Sequence, residues 1–97
     1  MTDCSSPSKI TMRLVVYGRV QGVGFRESMR RKADNLGVYG WVKNRADSAV
    51  EAAVHGDPDL VGAIVRWAHR GPEMATVEHV EVEPAEGSYS DFDVIWW

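Results

Sequence analysis

Two amphipathic helical patterns, each preceded by a strand pattern, constrain the possible folds of this chain most strongly. The first covers residues 25–36, where apolar residues recur every three or four positions, and Gly37 follows at the place of a left-handed C-terminal cap. The second begins at Pro58, with Asp57 as its N-cap, and Gly71-Pro72 ends it. The expected buried stripes are Phe25, Met29, Ala33 and Leu36 in the first helix and Leu60, Ile64, Trp67 and Ala68 in the second.

Strand patterns surround the helices at residues 11–17, 38–43, 49–55 and 76–83, and a short one follows at 92–96. The turn-like segment 44–48 joins two of them into a predicted hairpin. The order β-α-β-β-α-β predicts an α+β fold, the ferredoxin-like α/β sandwich, with an antiparallel sheet of four to five strands and both helices on one face. We expect residues 1–10 to form a flexible N-terminal tail and residues 11–97 to form the single domain.

The composition excludes several classes of protein. No apolar run approaches the ~20 residues that span a bilayer, and residues 1–9 lack the basic and then apolar order of a signal peptide. The one cysteine, Cys4, lies in the predicted tail, so no disulfide forms within the chain, and a tail supplies no base to activate the thiol. We expect a cytoplasmic monomer that does not act at membranes.

Charge is divided unevenly along the chain. Residues 9–45 hold nine basic and two acidic residues, whereas residues 46–97 hold two basic and eleven acidic residues. The basic half would attract an anion. The same pattern would also arise if the two halves only complemented each other electrostatically in the fold, and charge alone does not separate these two interpretations.

A glycine-rich segment, GRVQGVGFR at residues 18–26, lies between the first strand and the first helix. Its three glycines allow a tight turn that brings successive backbone N–H groups close to a ligand. The segment ends at a helix N-terminus, which favours an anion, and Arg26 adds a charged fork in the first helical turn. No acidic residue occurs between positions 4 and 26. These features predict a phosphate cradle formed by Arg19, Val20, Gln21, Gly22, Val23, Gly24 and Arg26.

Two known nucleotide-binding motifs do not fit this segment. A nucleotide P-loop requires Lys followed by Ser or Thr after its last glycine, where this chain has Phe25 and Arg26. A dinucleotide-binding fingerprint requires a third glycine where this chain has Glu27. The alternative to a phosphate cradle is a tight turn that only connects the strand to the helix and binds no ligand. The polar and basic residues of the segment argue against this alternative.

Together with GWVKN at residues 40–44, the segment resembles the acylphosphatase family, and the resemblance extends over residues 12–95. It implies a hydrolase that converts acyl phosphates into a carboxylate and inorganic phosphate without a metal or an organic cofactor. It also implies that the loop N–H groups and Arg26 bind the phosphoryl group and that Asn44 orients the attacking water.

The chain departs from the family pattern at three places. Ser48 stands where the family usually has a glycine in the hairpin turn, and we expect this change to alter the turn geometry because serine is strained at positive φ. Glu27 stands where an aromatic residue often follows the Phe-Arg pair, and we expect it to suit the first turn of the helix. The pair Trp96-Trp97 is unusual, and the sequence suggests no functional role for it.

Other functions have less support in the sequence. His55, His69 and His79 lack the spacing of metal ligands, and no histidine is spaced to activate Ser28 as a nucleophile. A non-catalytic anion- or nucleic-acid-binding ferredoxin-like module is the main alternative, but the first strand lacks the paired aromatic residues of RNA-binding sheets. A carbamoyl-transfer domain like that of hydrogenase-maturation proteins normally belongs to a much longer chain. The expected ligands are a small acyl phosphate and inorganic phosphate, not nucleic acid.

Overall fold

The computed structural model describes residues 9–96 and contains the predicted elements in the predicted order. The strands are β1 (Ile10–Arg19), β2 (Tyr39–Asn44), β3 (Val50–Gly56), β4 (Thr76–Pro84) and β5 (Phe92–Ile95), and the helices are α1 (Phe25–Leu36) and α2 (Pro58–Arg70). The strands form one sheet in the order β4-β1-β3-β2-β5.

The core lies between the sheet and the two helices, which pack on the same face. Alternate residues of β1, Leu14 and Val16, are fully buried there. α1 packs against β2 and β5, whereas α2 packs against β1, β3 and β4. The predicted ferredoxin-like fold is confirmed. The stripe of α2 is rotated slightly from the predicted one, because Leu60 and Trp67 are only half-buried at its margin. The buried residues of α2 are Val61, Ile64 and Ala68.

The direction of β5 is the one departure from the antiparallel sheet that the sequence predicts. All other neighbouring strands pair antiparallel, but β5 runs parallel to β2, with Ile95 opposite Lys43. A parallel pair needs a long crossover, and the chain makes one here because it passes through β3, α2 and β4 before it returns to β2. The end of β5 therefore lies at the same end of the sheet as Asn44, the last residue of β2.

The face of the sheet away from the helices is rich in carboxylates. Arg13 bridges two strands there, with Nε 2.7 Å from Glu51 of β3 and a terminal nitrogen 2.8 Å from Glu83 of β4. The hydrogen bond to Glu51 is the main cause of a raised pKa at Arg13. Glu81 and Glu83 are exposed. Because these carboxylates repel a polyanion, this face gives no support to the nucleic-acid-binding alternative.

The described residues include only the end of the predicted tail. Ile10 belongs to β1, since it pairs with Gly56, so the strand begins one residue inside the predicted tail. Lys9 forms an ion pair with Asp57 at 2.9 Å, and Asp57 occupies the N-cap of α2 without a capping hydrogen bond from its side chain. Residues 1–8, with Cys4, and Trp97 lie outside the described residues. Over residues 9–96, no helix has the length and apolarity that crossing a bilayer requires.

Candidate active site

Residues 20–24 connect β1 to α1 in a tight loop with two left-handed glycines. Gly22 has a φ of 75°, and Gly24, the N-cap of α1, has a φ of 79°. Left-handed residues that alternate with ordinary backbone turn successive N–H groups toward one point, an arrangement that binds anions. No side chain caps α1 at Gly24, so the N–H groups of its first turn are available to an anion.

Gln21 holds this loop against the β2–β3 hairpin. Its Nε2 atom donates hydrogen bonds to the carbonyl oxygens of Arg45, at 2.8 Å, and Ala49, at 2.9 Å. The carboxamide of Gln21 is thus used within the protein. These two bonds set the position of the loop relative to the hairpin that carries Asn44.

The hairpin turn keeps a left-handed residue although it lacks the usual glycine. Asn44 pairs with Val50 at the end of β2, and the backbone N–H of Arg45 donates to the carbonyl of Ala49 at 2.8 Å. Ser48 has a φ of 75°, a conformation that is strained for a residue with a Cβ atom. The replacement of glycine by Ser48 therefore strains the backbone of the turn, but it does not prevent the hairpin from closing next to Asn44.

Arg26 lies in the first turn of α1 and is held from two directions. One terminal nitrogen donates a hydrogen bond to the carbonyl of Ile95 at 3.0 Å. The guanidinium carbon lies 4.1 Å from the centroid of the Trp96 ring, within the range of a cation–π contact. A guanidinium has five N–H donors, so the bond to Ile95 leaves others for a phosphate.

Trp96 is the residue of this site for which the sequence predicted no role. It directly follows β5, whose parallel pairing with β2 brings it to the end of the sheet where Asn44 lies. Its side chain is 66% exposed. The only signal for Trp96 in the sequence was an aromatic pair after a short strand. Because the sequence did not show the direction of β5, it did not show that this pair lies near Asn44.

These groups surround one cavity of about 240 Å³. Glu27 also borders it, but Arg30 binds the Glu27 carboxylate and Arg31 lies 3.7 Å from it. The hydrogen bond from Arg30 is the main cause of a lowered pKa at Glu27. Because the two arginines balance this charge along the helix, Glu27 opposes an anion only weakly. The lining residues are Val20, Gly22, Gly24, Phe25, Arg26, Glu27, Asn44 and Trp96.

The cavity brings together only part of the predicted set. Arg19 is exposed at the end of β1, opposite Thr76, and does not line the cavity. Gln21 is bound to the hairpin, and Val23 packs against the hydrophobic core. The predicted residues that line the cavity are Val20, Gly22, Gly24, Arg26 and Asn44.

A cavity of about 380 Å³ also lies along the β2–β3 hairpin, lined by Lys43, Asn44, Arg45, Ala46 and Asp47 and by no residue of the loop. Two larger cavities elsewhere are less suited to an anion. One of about 610 Å³ lies beside Arg70 and Gly71 at the C-terminal end of α2, where the helix dipole repels negative charge. Another of about 700 Å³ lies near Lys9 and contains Glu86. Among residues 9–96, no three His, Cys, Asp or Glu side chains are grouped as metal ligands would be.

Comparisons of sequence and of structure with known proteins point to the same family. A sequence model of the acylphosphatase family matches residues 12–94. The acylphosphatase of Thiobacillus denitrificans is 55% identical over 83 residues, which cover 86% of this chain and 93% of that protein. The structure of an acylphosphatase from Coxiella burnetii superposes with a TM-score of 0.86 at 40% identity and covers 90% of this chain and 93% of that one.

The same fold also occurs within a longer protein. The structure of HypF from T. kodakarensis matches 91% of this chain with a TM-score of 0.78 and 27% identity, but the match covers only 12% of HypF. The Thiobacillus and Coxiella proteins, in contrast, are matched over nearly their whole length. The predicted resemblance is confirmed, and this chain belongs to the acylphosphatase family of hydrolases.

Proposed function

We propose that this chain hydrolyses the carboxyl–phosphate bond of acyl phosphates with Arg26, Asn44 and the loop at residues 20–24. The observation that supports this most directly is that the loop glycines, Arg26 and Asn44 line one cavity. A positive group and a neutral amide side by side suit a site that holds a phosphoryl group and a water molecule in contact.

The phosphoryl group is bound by the backbone and by Arg26. The loop N–H groups and the N-terminus of α1 donate to its oxygens, and Arg26 adds paired, charge-assisted hydrogen bonds. The transition state of phosphoryl transfer is loose and carries charge on the equatorial oxygens, so donors that are fixed in advance stabilise it. The Ile95 carbonyl and the Trp96 ring hold Arg26 in this way.

Asn44 orients the water. An amide does not act as a base near neutral pH, but it accepts one hydrogen bond from a water and donates another. The oriented water attacks phosphorus, the bond from phosphorus to the acyl oxygen breaks, and the electron pair leaves with the carboxylate. A phosphoryl oxygen accepts the proton of the water, which gives inorganic phosphate. The carboxylate is a good leaving group and needs no acid.

The proposed reaction uses no metal, because Arg26 and the backbone donors supply the positive charge that a metal would supply. We expect full activity in EDTA, and a loss of activity that added divalent metal restores would contradict this expectation. We further propose that the enzyme acts as a cytoplasmic monomer on small acyl phosphates. The single cysteine of the sequence suits a reducing compartment, and a cavity of about 240 Å³ suits a small ligand.

The test is a benzoyl phosphate hydrolysis assay on the wild type and on Arg26→Lys. We expect the wild type to release benzoate and phosphate. Arg26→Lys should lose roughly tenfold or more in kcat/KM and should be inhibited less by inorganic phosphate, because an ammonium group cannot form the fork. Arg66→Lys is the matched control, since Arg66 is exposed on α2 outside the cavity. An inactive wild type, or full phosphate affinity in Arg26→Lys, would contradict the proposal.

A further inference from the structure

We propose that Trp96 forms a platform for the acyl group of the substrate, so that the enzyme prefers acyl phosphates with a planar, apolar acyl group to those with a small aliphatic one. This inference rests on the proposed function. The starting observation is that Trp96 lines the cavity and is nevertheless 66% exposed. An indole in that position leaves a large apolar surface in water, which a ligand in the cavity would cover.

The cavity offers the acyl group little other apolar surface. Val20 and Phe25 are 1% and 2% exposed, because they pack into the hydrophobic core. Gly22 and Gly24 have no side chains, and a Cβ atom built on either would meet no atom within 4 Å, so the space in front of the loop is open. The remaining lining side chains are charged or polar. Trp96 is therefore the one apolar group of the lining that a ligand can contact broadly.

Trp96 also lies close to the position of the phosphate. Its ring centroid is 4.1 Å from the guanidinium carbon of Arg26, so a phosphate bound to Arg26 is next to the indole. When the loop and α1 hold the other phosphoryl oxygens, the acyl oxygen points away from them, toward the open side of the cavity. An aromatic acyl group in that direction meets the exposed surface of Trp96 and gains the contact energy of an aromatic pair.

Because Trp96 contacts Arg26, it has a second role, the support of Arg26, and the experiment must distinguish this role from binding of the acyl group. If Trp96 acted only by holding Arg26, its removal would weaken phosphate binding and slow the hydrolysis of every acyl phosphate by the same factor. If Trp96 is also the platform, its removal slows the hydrolysis of substrates whose acyl group reaches it by a further factor. The ratio of kcat/KM for two substrates and the inhibition constant of phosphate together distinguish the two roles.

The experiment measures kcat/KM for benzoyl phosphate and acetyl phosphate in the wild type, Trp96→Ala and Trp96→Phe. We expect Trp96→Ala to lower the benzoyl-to-acetyl ratio roughly three- to tenfold, mostly through KM for benzoyl phosphate, the size expected for one aromatic contact. Trp96→Phe should keep most of the ratio, and in Trp96→Ala the inhibition constant of inorganic phosphate should change by a smaller factor than the ratio does. Met74→Ala is the control, because Met74 is 72% exposed and does not line the cavity. Thermal unfolding of each variant verifies that it is folded.

Each outcome supports or overturns the platform. If Trp96→Ala lowers kcat/KM for both substrates by the same factor, Trp96 acts only by holding Arg26, and if it lowers neither value, Trp96 has no role in the site. Both results would overturn the platform while the hydrolytic function stood. A wild type that hydrolyses neither substrate would refute the proposed function itself, and the platform with it.

Discussion

Gln21 and Asn44 carry the same carboxamide group, and their surroundings give them different roles. Gln21 donates two hydrogen bonds to the hairpin backbone, whereas Asn44 lines the cavity with Arg26. The sequence predicted both near the phosphate but not this difference, because the partners of a side chain depend on how the hairpin folds against the loop. Arg26 was easier to predict, since its place in the first turn of a helix follows from local pattern alone.

Ser48 is the residue at which a single substitution should stabilise the protein. Its φ of 75° strains a serine, and a glycine relieves that strain, partly offset by greater freedom in the unfolded chain. We expect Ser48→Gly to raise the free energy of unfolding by about 0.5–1 kcal/mol in urea denaturation. Ala46→Gly in the same turn is the control and should lower it, because Ser48 is the non-glycine residue with positive φ among those described. A less stable Ser48→Gly variant would show that the turn is not strained.

At the scale of elements, patterns along the chain were enough to locate helices and strands but not to orient every strand. The helix at Phe25–Leu36 has the predicted bounds, because its apolar period and its cap glycine are local signals. The direction of β5 is set by the path through β3, α2 and β4 and by pairing with β2, and neither appears in the residues of β5 itself. Since that direction places Trp96 at the cavity, the missing orientation also hid a residue of the site.

The hydrogen bonds from Gln21 that join the loop to the hairpin can be tested by substitution. Gln21→Met has a similar size but cannot donate to the carbonyls of Arg45 and Ala49. We expect the free energy of unfolding to fall by about 1 kcal/mol. We also expect kcat/KM for benzoyl phosphate to fall roughly tenfold, because the loop and Asn44 lose their alignment. Urea denaturation and steady-state kinetics measure the two effects, and unchanged kinetics in a destabilised variant would limit Gln21 to a structural role.

At the scale of the whole molecule, the sequence left two interpretations of the uneven charge distribution: attraction of an anion, and complementarity between the two halves of the chain. Both apply to the fold. Lys9 pairs with Asp57, and Arg13 pairs with Glu51 and Glu83, so basic residues of the first half do complement acidic residues of the second. Arg26 instead contacts a backbone carbonyl and an indole. Pairing within the fold thus neutralises part of the basic half and leaves Arg26 with donors for an anion.

Phosphate binding should therefore stabilise the whole domain through Arg26. A ligand that binds only the folded state at ten times its Kd adds about 1.4 kcal/mol of stability, which corresponds to a rise in Tm of roughly 5–10 °C for a domain of this size. We expect this rise for the wild type in inorganic phosphate, relative to sodium chloride of equal ionic strength. Arg26→Lys should show little rise at the same phosphate concentration. Equal rises in both proteins would indicate that phosphate binds elsewhere.

The central claim, that Asn44 supplies the water to a phosphoryl group held by Arg26 and the loop, is tested most directly by Asn44→Ala. Asn35→Ala is the matched control, because Asn35 is exposed on α1 and does not line the cavity. We expect Asn44→Ala to lower kcat for benzoyl phosphate by at least ~100-fold, while the inhibition constant of inorganic phosphate stays within about threefold. Asn35→Ala should change neither value. Full turnover by Asn44→Ala, or a loss of phosphate affinity as large as the loss of kcat, would contradict the claim.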